Sequence, residues 1–244
     1  MVQYKPFGGD FTMFYLTGDI HGDISKICLF IEKHDLTAND IIIILGDVGL
    51  NYYGNSHGDA QRKKKLNRYG VPIFCIHGNH EIRPYTIKSY SVSSFHGGEV
   101  YVEENYPNLI FAKDGEVYDF DGKSAIVLGG AYSVDKYYRF AKGLLWCDDE
   151  QPSDESKQYC ERSLSKRNWK TDYVLSHTCP EKYIPREAFI PQIDQNMVDQ
   201  STEYWLDRIE DKLTYSKWYC GHWHIDKSVD NLRFMMDDFV LLGN

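Results

Sequence analysis

The chain has 244 residues, of which 42% are hydrophobic and 15% aromatic, enough to bury a core without disulfide bonds. Its formal net charge of −9 argues against non-specific binding to long nucleic acid, which usually needs a basic surface. No run of 18 apolar residues occurs, and residues 1–10 lack the apolar segment of a signal peptide. The six cysteines form no C-x-x-C pair. We therefore expect one domain over residues 1–244, free thiols, no membrane span and a cytoplasmic location.

Five short apolar runs, rich in Ile, Val, Tyr and Phe, each precede a motif that contains glycine or a polar side chain. Such runs predict buried strands. In chain order, the runs are residues 13–16, 41–45, 72–76, 173–175 and 218–220. The motifs that follow are Gly-Asp-Ile-His-Gly (18–22), Gly-Asp-Val-Gly (46–49), Gly-Asn-His-Glu (78–81), Ser-His-Thr (176–178) and Gly-His-Trp-His (221–224). Ligand groups in open α/β sheets cluster beyond the carboxyl ends of strands, so we expect these motifs to meet at one site.

The motifs supply carboxylate, amide and imidazole side chains and no thiol. These donors suit Mn, Fe, Zn or Ni. Glycine beside an acid or a histidine lets the backbone turn sharply and lets a loop approach an ion or a phosphate closely. One Gly-Asp pair is an ordinary turn, but five motifs in series predict a centre for two divalent transition-metal ions.

The remaining periodic segments predict helices and a second sheet. The predicted helices are residues 24–33, 60–69, 154–168 and 200–212. Alternating or apolar runs at residues 99–102, 109–112, 116–120 and 124–128 predict further strands, which we expect to form the second sheet. Asp121-Gly122 is typical of a type I′ hairpin.

The order of the five motifs resembles the calcineurin-like metallophosphoesterase superfamily, and the resemblance runs from about Phe14 to His224. It implies an α/β fold in which a two-sheet β sandwich is flanked by helices, in four layers. It also implies the ligand set: Asp19, His21 and His224 for one ion, Asn79, His177 and His222 for the other, and Asp47 as the bridge. His80 matches the position that family members place near the leaving group.

The chemistry implied by this resemblance is the hydrolysis of phosphate esters. Two ions about 3.5–4 Å apart clamp phosphoryl oxygens and lower the pKa of a shared water, so that metal-bound hydroxide can attack phosphorus. The carboxylate of Asp47 can serve both ions, while Asn79 adds a donor oxygen without adding charge. His80 can donate a proton to the departing oxygen or stabilise it. Asp47 and His80 are therefore the predicted catalytic residues.

The second motif departs from the pattern of the Ser/Thr phosphoprotein phosphatases, which continue it with an Asp and an Arg. Leu50 and Asn51 occupy those positions, so the arginine clamp on phosphate cannot come from there. The departure favours a small phosphodiester or a phosphorylated metabolite as substrate. A phosphoprotein phosphatase, a nuclease and a catalytically inactive metal-binding module remain alternatives.

Residues 133–139 follow a predicted strand end and can bend over the metal site as a substrate loop. Lys136 or Arg139 would then bind phosphate in place of the missing arginine. The alternative is that both are solvated charges beside packed tyrosines. A basic run, Arg62 to Lys65, is expected to lie on an exposed helix face, and His77 is expected to be a core or supporting histidine.

Overall fold

The computed structural model describes residues 12–54 and 56–244, so the expectation for residues 1–10 lies outside the described residues. The strands are β1 (Phe14–Thr17), β2 (Ile41–Ile44), β3 (Ile73–Cys75), β4 (Tyr90–Phe95), β5 (Gly98–Glu103), β6 (Leu109–Ala112), β7 (Val117–Phe120), β8 (Lys123–Leu128), β9 (Tyr173–Ser176), β10 (Lys217–Cys220), β11 (Lys227–Val229), β12 (Leu232–Phe234) and β13 (Val240–Leu241). The helices are α1 (Ser25–Lys33), α2 (His57–Asn67), α3 (Lys136–Lys142), α4 (Asp154–Lys166) and α5 (Ser201–Glu210). Short 3₁₀ helices lie at Pro84–Thr86, Glu181–Tyr183, Arg186–Ala188 and Gln195–Met197.

The strands form two sheets, which confirms the predicted α/β sandwich. One sheet has the order β13-β1-β2-β3-β6-β5-β4, and the other has the order β11-β12-β10-β9-β8-β7. The neighbours β1, β2, β3 and β6 run parallel, as do β8, β9 and β10. The carboxyl ends of the strands in each parallel set therefore lie at one edge of their sheet.

Residue alternation explains the layers. Ile41 and Ile43 of β2 point into the core between the sheets, where Leu175 and Tyr219 of the other sheet also lie. Ile42 and Ile44 point the other way, into a core that includes residues of α1 and α2. A third core lies between the second sheet and helices α4 and α5. Because β2 is covered on both faces, its sequence is continuously apolar, as expected for a buried parallel strand.

The predicted membership of the second sheet was wrong for β5 and β6. Both strands pair with the first sheet, where Leu109 of β6 lies opposite Ile73 of β3. Leu109 and Phe111 face the helix side, whereas Ile110 and Ala112 face the core between the sheets. A strand that is apolar on both faces needs cover on both sides, and the position next to β3 provides it.

Most predicted elements lie within a few residues of the observed ones. Helix α2 begins at His57 rather than residue 60, because Ser56 Oγ caps it by accepting a hydrogen bond from the Asp59 N–H at 3.1 Å. The predicted hairpin is present between β7 and β8, and both Asp121 (φ 57°) and Gly122 (φ 77°) adopt the positive φ of a type I′ turn. The one-domain prediction for residues 1–244 stays a prediction.

The segment predicted as a substrate loop is helical from Lys136 onward. Helix α3 spans Lys136–Lys142 and ends at Gly143, which has a φ of 63°. It buries none of its residues, so no apolar periodicity revealed it in the sequence. The first part of the segment, Ser133 to Asp135, still lines the cavity beside the clustered motifs.

Among the helices of the described residues, none has the length and apolar character needed to cross a membrane.

The basic run on α2 is not uniformly exposed, which corrects the expectation for Lys63. Its side chain is 1% exposed, and its Nζ lies 2.5 Å from Glu103 Oε2. The Glu103 carboxylate also accepts a hydrogen bond from Ser89 Oγ at 2.6 Å. Lys63 Nζ lies 5.0 Å from the centroid of the Tyr90 ring. This buried ion pair joins α2 to β5 of the first sheet.

Replacing Lys63 by Met should lower the free energy of unfolding by about 3–5 kcal/mol, because the change leaves the Glu103 carboxylate buried without a counter-charge. Urea denaturation followed by circular dichroism measures the change. The matched control is Lys64→Met on the neighbouring, exposed position of the same helix, which should change stability by less than about 0.5 kcal/mol. Equal effects of the two substitutions would contradict a structural role for the Lys63–Glu103 pair.

Candidate metal centre

The five sequence motifs meet between the two sheets. Three of them follow the adjacent parallel strands β1, β2 and β3, and two follow the adjacent parallel strands β9 and β10. Backbone hydrogen bonds join the first two loops, since the N–H groups of His21 and Gly22 donate to the carbonyls of Asp47 and Val48 at 2.8 and 3.0 Å. The fold thus brings together all seven side chains that were predicted as metal ligands.

Asp19, His21 and His224 form one group of donor atoms. Their nearest ligand atoms all lie within 4.8 Å of one another. The Nε2 atoms of His21 and His224 are 2.9 Å apart, and His224 Nε2 lies 3.4 Å from Asp19 Oδ2. Asp19 is buried, whereas both histidines are partly open to solvent. This side of the cluster is therefore accessible.

Asn79, His177 and His222 form a second, more deeply placed group. The Asn79 side-chain oxygen lies 2.7 Å from His177 Nε2 and 3.1 Å from His222 Nδ1. The Asn79 amide nitrogen donates to Ser133 Oγ at 2.7 Å, so the amide oxygen is turned towards the two rings. One nitrogen of each histidine therefore lies within hydrogen-bonding range of the Asn79 oxygen, and the two ring centroids are 5.0 Å apart.

Asp47 lies between the two groups. Its Oδ2 is 3.7 Å from His21 Nδ1, and its Oδ1 is 3.7 Å from His177 Nε2. Asp19, a member of the first group, also lies near the second group, because one of its carboxylate oxygens is within 4.8 Å of ligand atoms of Asp47 and His177. Two buried carboxylates therefore occupy the centre of the site, and histidines surround them.

Four of these residues adopt left-handed backbone conformations. The φ angles are 45° for His21, 46° for Asp47, 67° for His222 and 50° for His224. Such conformations cost on the order of 1–3 kcal/mol for residues other than glycine and concentrate at functional sites. Here they aim side chains from tight loops into a shared space.

Two glycines permit the close approach of the ligand side chains. A Cβ on Gly78 would lie 2.1 Å from Asp47 Oδ1, and a Cβ on Gly46 would lie 2.0 Å from His177 Nδ1. Both distances are far below van der Waals contact. Larger residues at these positions would displace Asp47 and His177, which explains why glycine precedes the polar residue in these motifs.

The histidines and carboxylates perturb one another electrostatically. Burial would raise the pKa of Asp19, but the neighbouring rings of His177 and His224 outweigh burial and lower it. Burial also opposes ionisation of Asp47, and the rings of His177, His80 and His21 lower its pKa overall. Burial, reinforced by the nearby His177, holds the pKa of His222 well below its usual range, so this ring is neutral at pH 7.

The donor set fits a divalent cation. His177 Nδ1 lies 2.8 Å from the Leu45 carbonyl oxygen, which can only accept, so Nδ1 carries the hydrogen. Nε2 is then the ring nitrogen that faces the Asn79 oxygen and that can bind a metal ion. Asp19 Oδ2 is also buried, and it makes no other polar contact among the described residues than the approaches of His224 Nε2 and His21 Nε2 at 3.4 and 3.8 Å. Imidazole nitrogens gathered around buried carboxylate and amide oxygens are suited to hold a cation.

Supporting residues outside the predicted set hold these loops. Glu81 Oε1 accepts hydrogen bonds from the N–H groups of Gly78 and Val48 at 3.2 and 3.4 Å, which ties the second motif to the third. Burial and the charge of Asp47 raise the pKa of Glu81 to about 8. The motif Gly-Asn-His-Glu contained the signal for Glu81. Nothing in the sequence placed Ser133 against Asn79, 54 residues away.

His80 lies at the edge of the centre. Its backbone N–H donates to Asp47 Oδ1 at 2.8 Å, and its ring centroid is 5.9 Å from that of His21. Burial lowers the pKa of His80 and Arg139 adds to this, although the charge of Asp47 opposes it. His77, by contrast, lies in the core as expected, and neither of its ring nitrogens has a hydrogen-bond partner among the described residues.

The two predicted phosphate contacts differ in position. Arg139 lines a small hollow together with Tyr52, Asn79 and His80. Its guanidinium donates to Asp135 Oδ2 and Tyr52 Oη, both at 2.8 Å. Lys136 instead places its Nζ 4.7 Å from the centroid of the Trp146 ring and lines neither the hollow nor the neighbouring cavity.

The residues that replace the phosphatase Asp-Arg pair are buried. Leu50 and Asn51 are both 0% exposed, and the Asn51 side-chain oxygen accepts a hydrogen bond from Tyr90 Oη at 3.0 Å. Neither side chain faces the metal centre. The second motif therefore provides no phosphate clamp in this chain.

The chain was compared with known protein structures and with curated proteins. The crystal structure of TT1561 of Thermus thermophilus is similar with a TM-score of 0.50 and 12% identity, over 91% of this chain and 87% of that one. The crystal structure of phosphopantetheinyl hydrolase from Mycobacterium tuberculosis aligns with a TM-score of 0.42 and 16% identity, over 94% of this chain and 89% of that one. No curated protein matches the chain.

The model of the calcineurin-like phosphoesterase family matches residues 12–226, a stretch that contains all five motifs and strands β1 to β10. Because the match covers most of the chain, this protein belongs to the calcineurin-like phosphoesterase family.

Proposed function

We propose that the protein hydrolyses small phosphate esters with two divalent transition-metal ions held at this centre. One observation carries the proposal: seven potential ligands from five strand ends converge there, and two of the seven are buried carboxylates. The proposed ligands are Asp19, His21 and His224 for one ion, Asn79, His177 and His222 for the other, and Asp47 for both. Bound ions would polarise phosphoryl oxygens and lower the pKa of water.

The protein's own residues set the geometry for this chemistry. The backbone N–H of His80 donates a hydrogen bond to one oxygen of Asp47 at 2.8 Å. The backbone N–H of His222 donates to one oxygen of Asp19 at 2.9 Å. The second oxygen of each carboxylate is left for a ligand. The Leu45 carbonyl fixes the tautomer of His177, so that Nε2 faces the centre.

We assign His80 to the departing oxygen. Its ring lines the cavity beside the centre but is not needed to complete either ligand group. The lowered pKa keeps the ring neutral at pH 7, with one N–H available for a hydrogen bond. The N–H of a neutral imidazole can stabilise the negative charge that develops on a departing alkoxide by donating this hydrogen bond.

We assign Arg139 to phosphate binding, because its side chain adjoins both His80 and Asn79. Asp135 and Tyr52 orient the guanidinium from the side. Lys136 remains a weaker proposal for the same role, since it packs on Trp146. With Leu50 and Asn51 buried, a small phosphodiester or a phosphorylated metabolite is a better substrate for this site than a phosphoprotein.

Replacing Asp47 by Asn should lower both metal content and kcat/KM, the latter by more than about 10²-fold, because the change weakens both ion sites. Asp19→Asn should do less damage if Asp19 serves one ion only. Elemental analysis and hydrolysis of nitrophenyl phosphates measure the two effects. The exposed Asp121→Asn, at a turn position that Asn tolerates, is the control and should change neither. An active Asp47→Asn protein with full metal content would refute the bridging role.

Replacing His80 by Ala should leave the metal content unchanged and lower kcat by about 10²–10⁴-fold for alkyl phosphates, whose leaving groups need a proton. Nitrophenolate departs without a proton, so its esters should lose much less activity. Parallel kinetics on the two substrate types give the comparison. Equal losses on both would show that His80 acts by positioning other groups.

Replacing Arg139 by Ala should raise KM by about 10-fold to 100-fold with little change in kcat, because a charge-assisted contact made equally in ground and transition states acts on binding. Lys142→Ala, exposed on the same helix, is the matched control.

The unaltered protein should show little preference for monoesters over activated diesters. A strong monoester preference that survives both Arg139→Ala and Lys136→Ala would favour a phosphoprotein phosphatase instead.

A further inference from the structure

A cavity of about 430 Å³ opens directly beside the candidate metal centre. Asp47, Asn79, His80 and His222 form one end of it. Its volume lies in the range of pockets that hold small molecules. A phosphate ester bound at the centre would therefore extend its organic part into this cavity.

The rest of the cavity lining is mainly apolar. Most of it comes from the chain between β9 and α5, which contains three of the short 3₁₀ helices, and from the loop after β10. The main apolar lining residues are Ile184, Phe189, Ile193, Val198, Trp223 and Ile225. The ring centroids of Phe189 and Trp223 are 6.1 Å apart. An apolar group that leaves water for this wall gains free energy in proportion to the area it buries.

The charges around the cavity exclude a second anion. No Lys or Arg is among its described lining residues, whereas Asp135, Asp199 and Glu203 are. Arg139 is engaged by Asp135 at 2.8 Å, so a carboxylate or a second phosphate on the organic part would lie near the carboxyl groups of Asp199 and Glu203 with no free cation among the described lining residues. The organic part that fits this cavity is therefore uncharged.

Glu203 provides a polar anchor within the apolar wall. Glu203 lies in the first turn of α5 and is 4% exposed. Oε1 accepts a hydrogen bond from Thr178 Oγ1 at 2.9 Å, whereas Oε2 is buried and has no hydrogen-bond partner among the residues described. Burial raises the pKa of Glu203 to about 7, so near neutral pH this carboxyl group can either accept or donate a hydrogen bond.

We infer that the substrate is a phosphate ester of an uncharged, mainly apolar alcohol, which fills this cavity and places a hydroxyl or amide group against Glu203. This assignment rests on the proposed phosphoesterase function. Glu203 is then a specificity-determining residue, because a ligand without the polar group leaves Oε2 buried and unpaired.

Alkyl phosphates test the inference, since their leaving groups are chemically alike while their apolar area differs. From methyl to hexyl phosphate, kcat/KM should rise by about threefold to fourfold for each methylene that becomes buried. A carboxylate at the far end of the alkyl chain should remove this gain. In a series of ω-hydroxyalkyl phosphates from propyl to octyl, one length should exceed its unsubstituted counterpart. No dependence on chain length would overturn the inference.

Two pairs of variants locate the effect. Ile193→Asp should abolish the preference for hexyl over methyl phosphate, whereas Met197→Asp should preserve it, because Met197 is exposed on the same segment and does not line the cavity.

Glu203→Met should lower the advantage of the best ω-hydroxyalkyl phosphate over its unsubstituted counterpart by about tenfold. Glu203→Gln, which keeps the hydrogen-bonding capacity, should retain that advantage. If both Glu203 variants kept the advantage of the ω-hydroxyalkyl phosphate, the assignment of Glu203 as the polar contact would be refuted.

Binding measurements separate this inference from the proposed function. Calorimetry in the presence of Mn²⁺ compares methylphosphonate with hexylphosphonate, neither of which can be hydrolysed as an ester. Tighter binding of hexylphosphonate, lost in Ile193→Asp and kept in Met197→Asp, supports the cavity even if no ester is hydrolysed. Hydrolysis of esters with equal binding of both phosphonates would instead uphold the enzyme and refute the cavity assignment.

Discussion

The structure depends on one electrostatic constraint, which is that two carboxylates, Asp19 and Asp47, lie side by side out of contact with water. Burial and mutual repulsion both oppose their ionisation, and the surrounding imidazoles counter this and lower the pKa of each. The ring of His222, whose pKa lies well below its usual range, is neutral at pH 7 and adds no positive charge. A cation between the carboxylates would stabilise both of them further, which is why the loops, the glycines and the tautomer of His177 are best understood as parts of a metal centre.

The sandwich provides the rigidity that such a centre needs. Parallel strands covered on both faces deliver each loop to the same edge, and strands such as β2 hold it there through fully buried isoleucines. This support allows four site residues to keep left-handed conformations that would otherwise relax. The 3₁₀ helices before α5, which border the cavity beside the centre, bury none of their residues and lie outside the sheets. The fold thus places the candidate metal centre on buried strand ends and the cavity wall on less buried segments.

The sequence predicted the parts of this arrangement that depend on local signals. Apolar runs followed by a ligand residue, with a glycine beside it in four of the five motifs, identified the strand ends, and the family resemblance of their order predicted which side chains would meet. The sequence could not predict long-range pairing: β5 and β6 joined the first sheet because of cover from elements distant in the chain, and Lys63 was buried by Glu103, 40 residues away. Helix α3 was missed because it buries nothing. The cavity was missed because residues 184–198 carry no periodic pattern, so only folding shows that their apolar side chains share a wall.

Anomalous X-ray diffraction from crystals grown with Mn²⁺ tests the central claim most directly, because it locates each ion independently of activity. The account predicts two anomalous peaks per chain within the cluster, with Asp47 in contact with both ions and Asn79, His177 and His222 around one of them. A single peak, or two peaks that do not share Asp47, would contradict the two-ion centre described here.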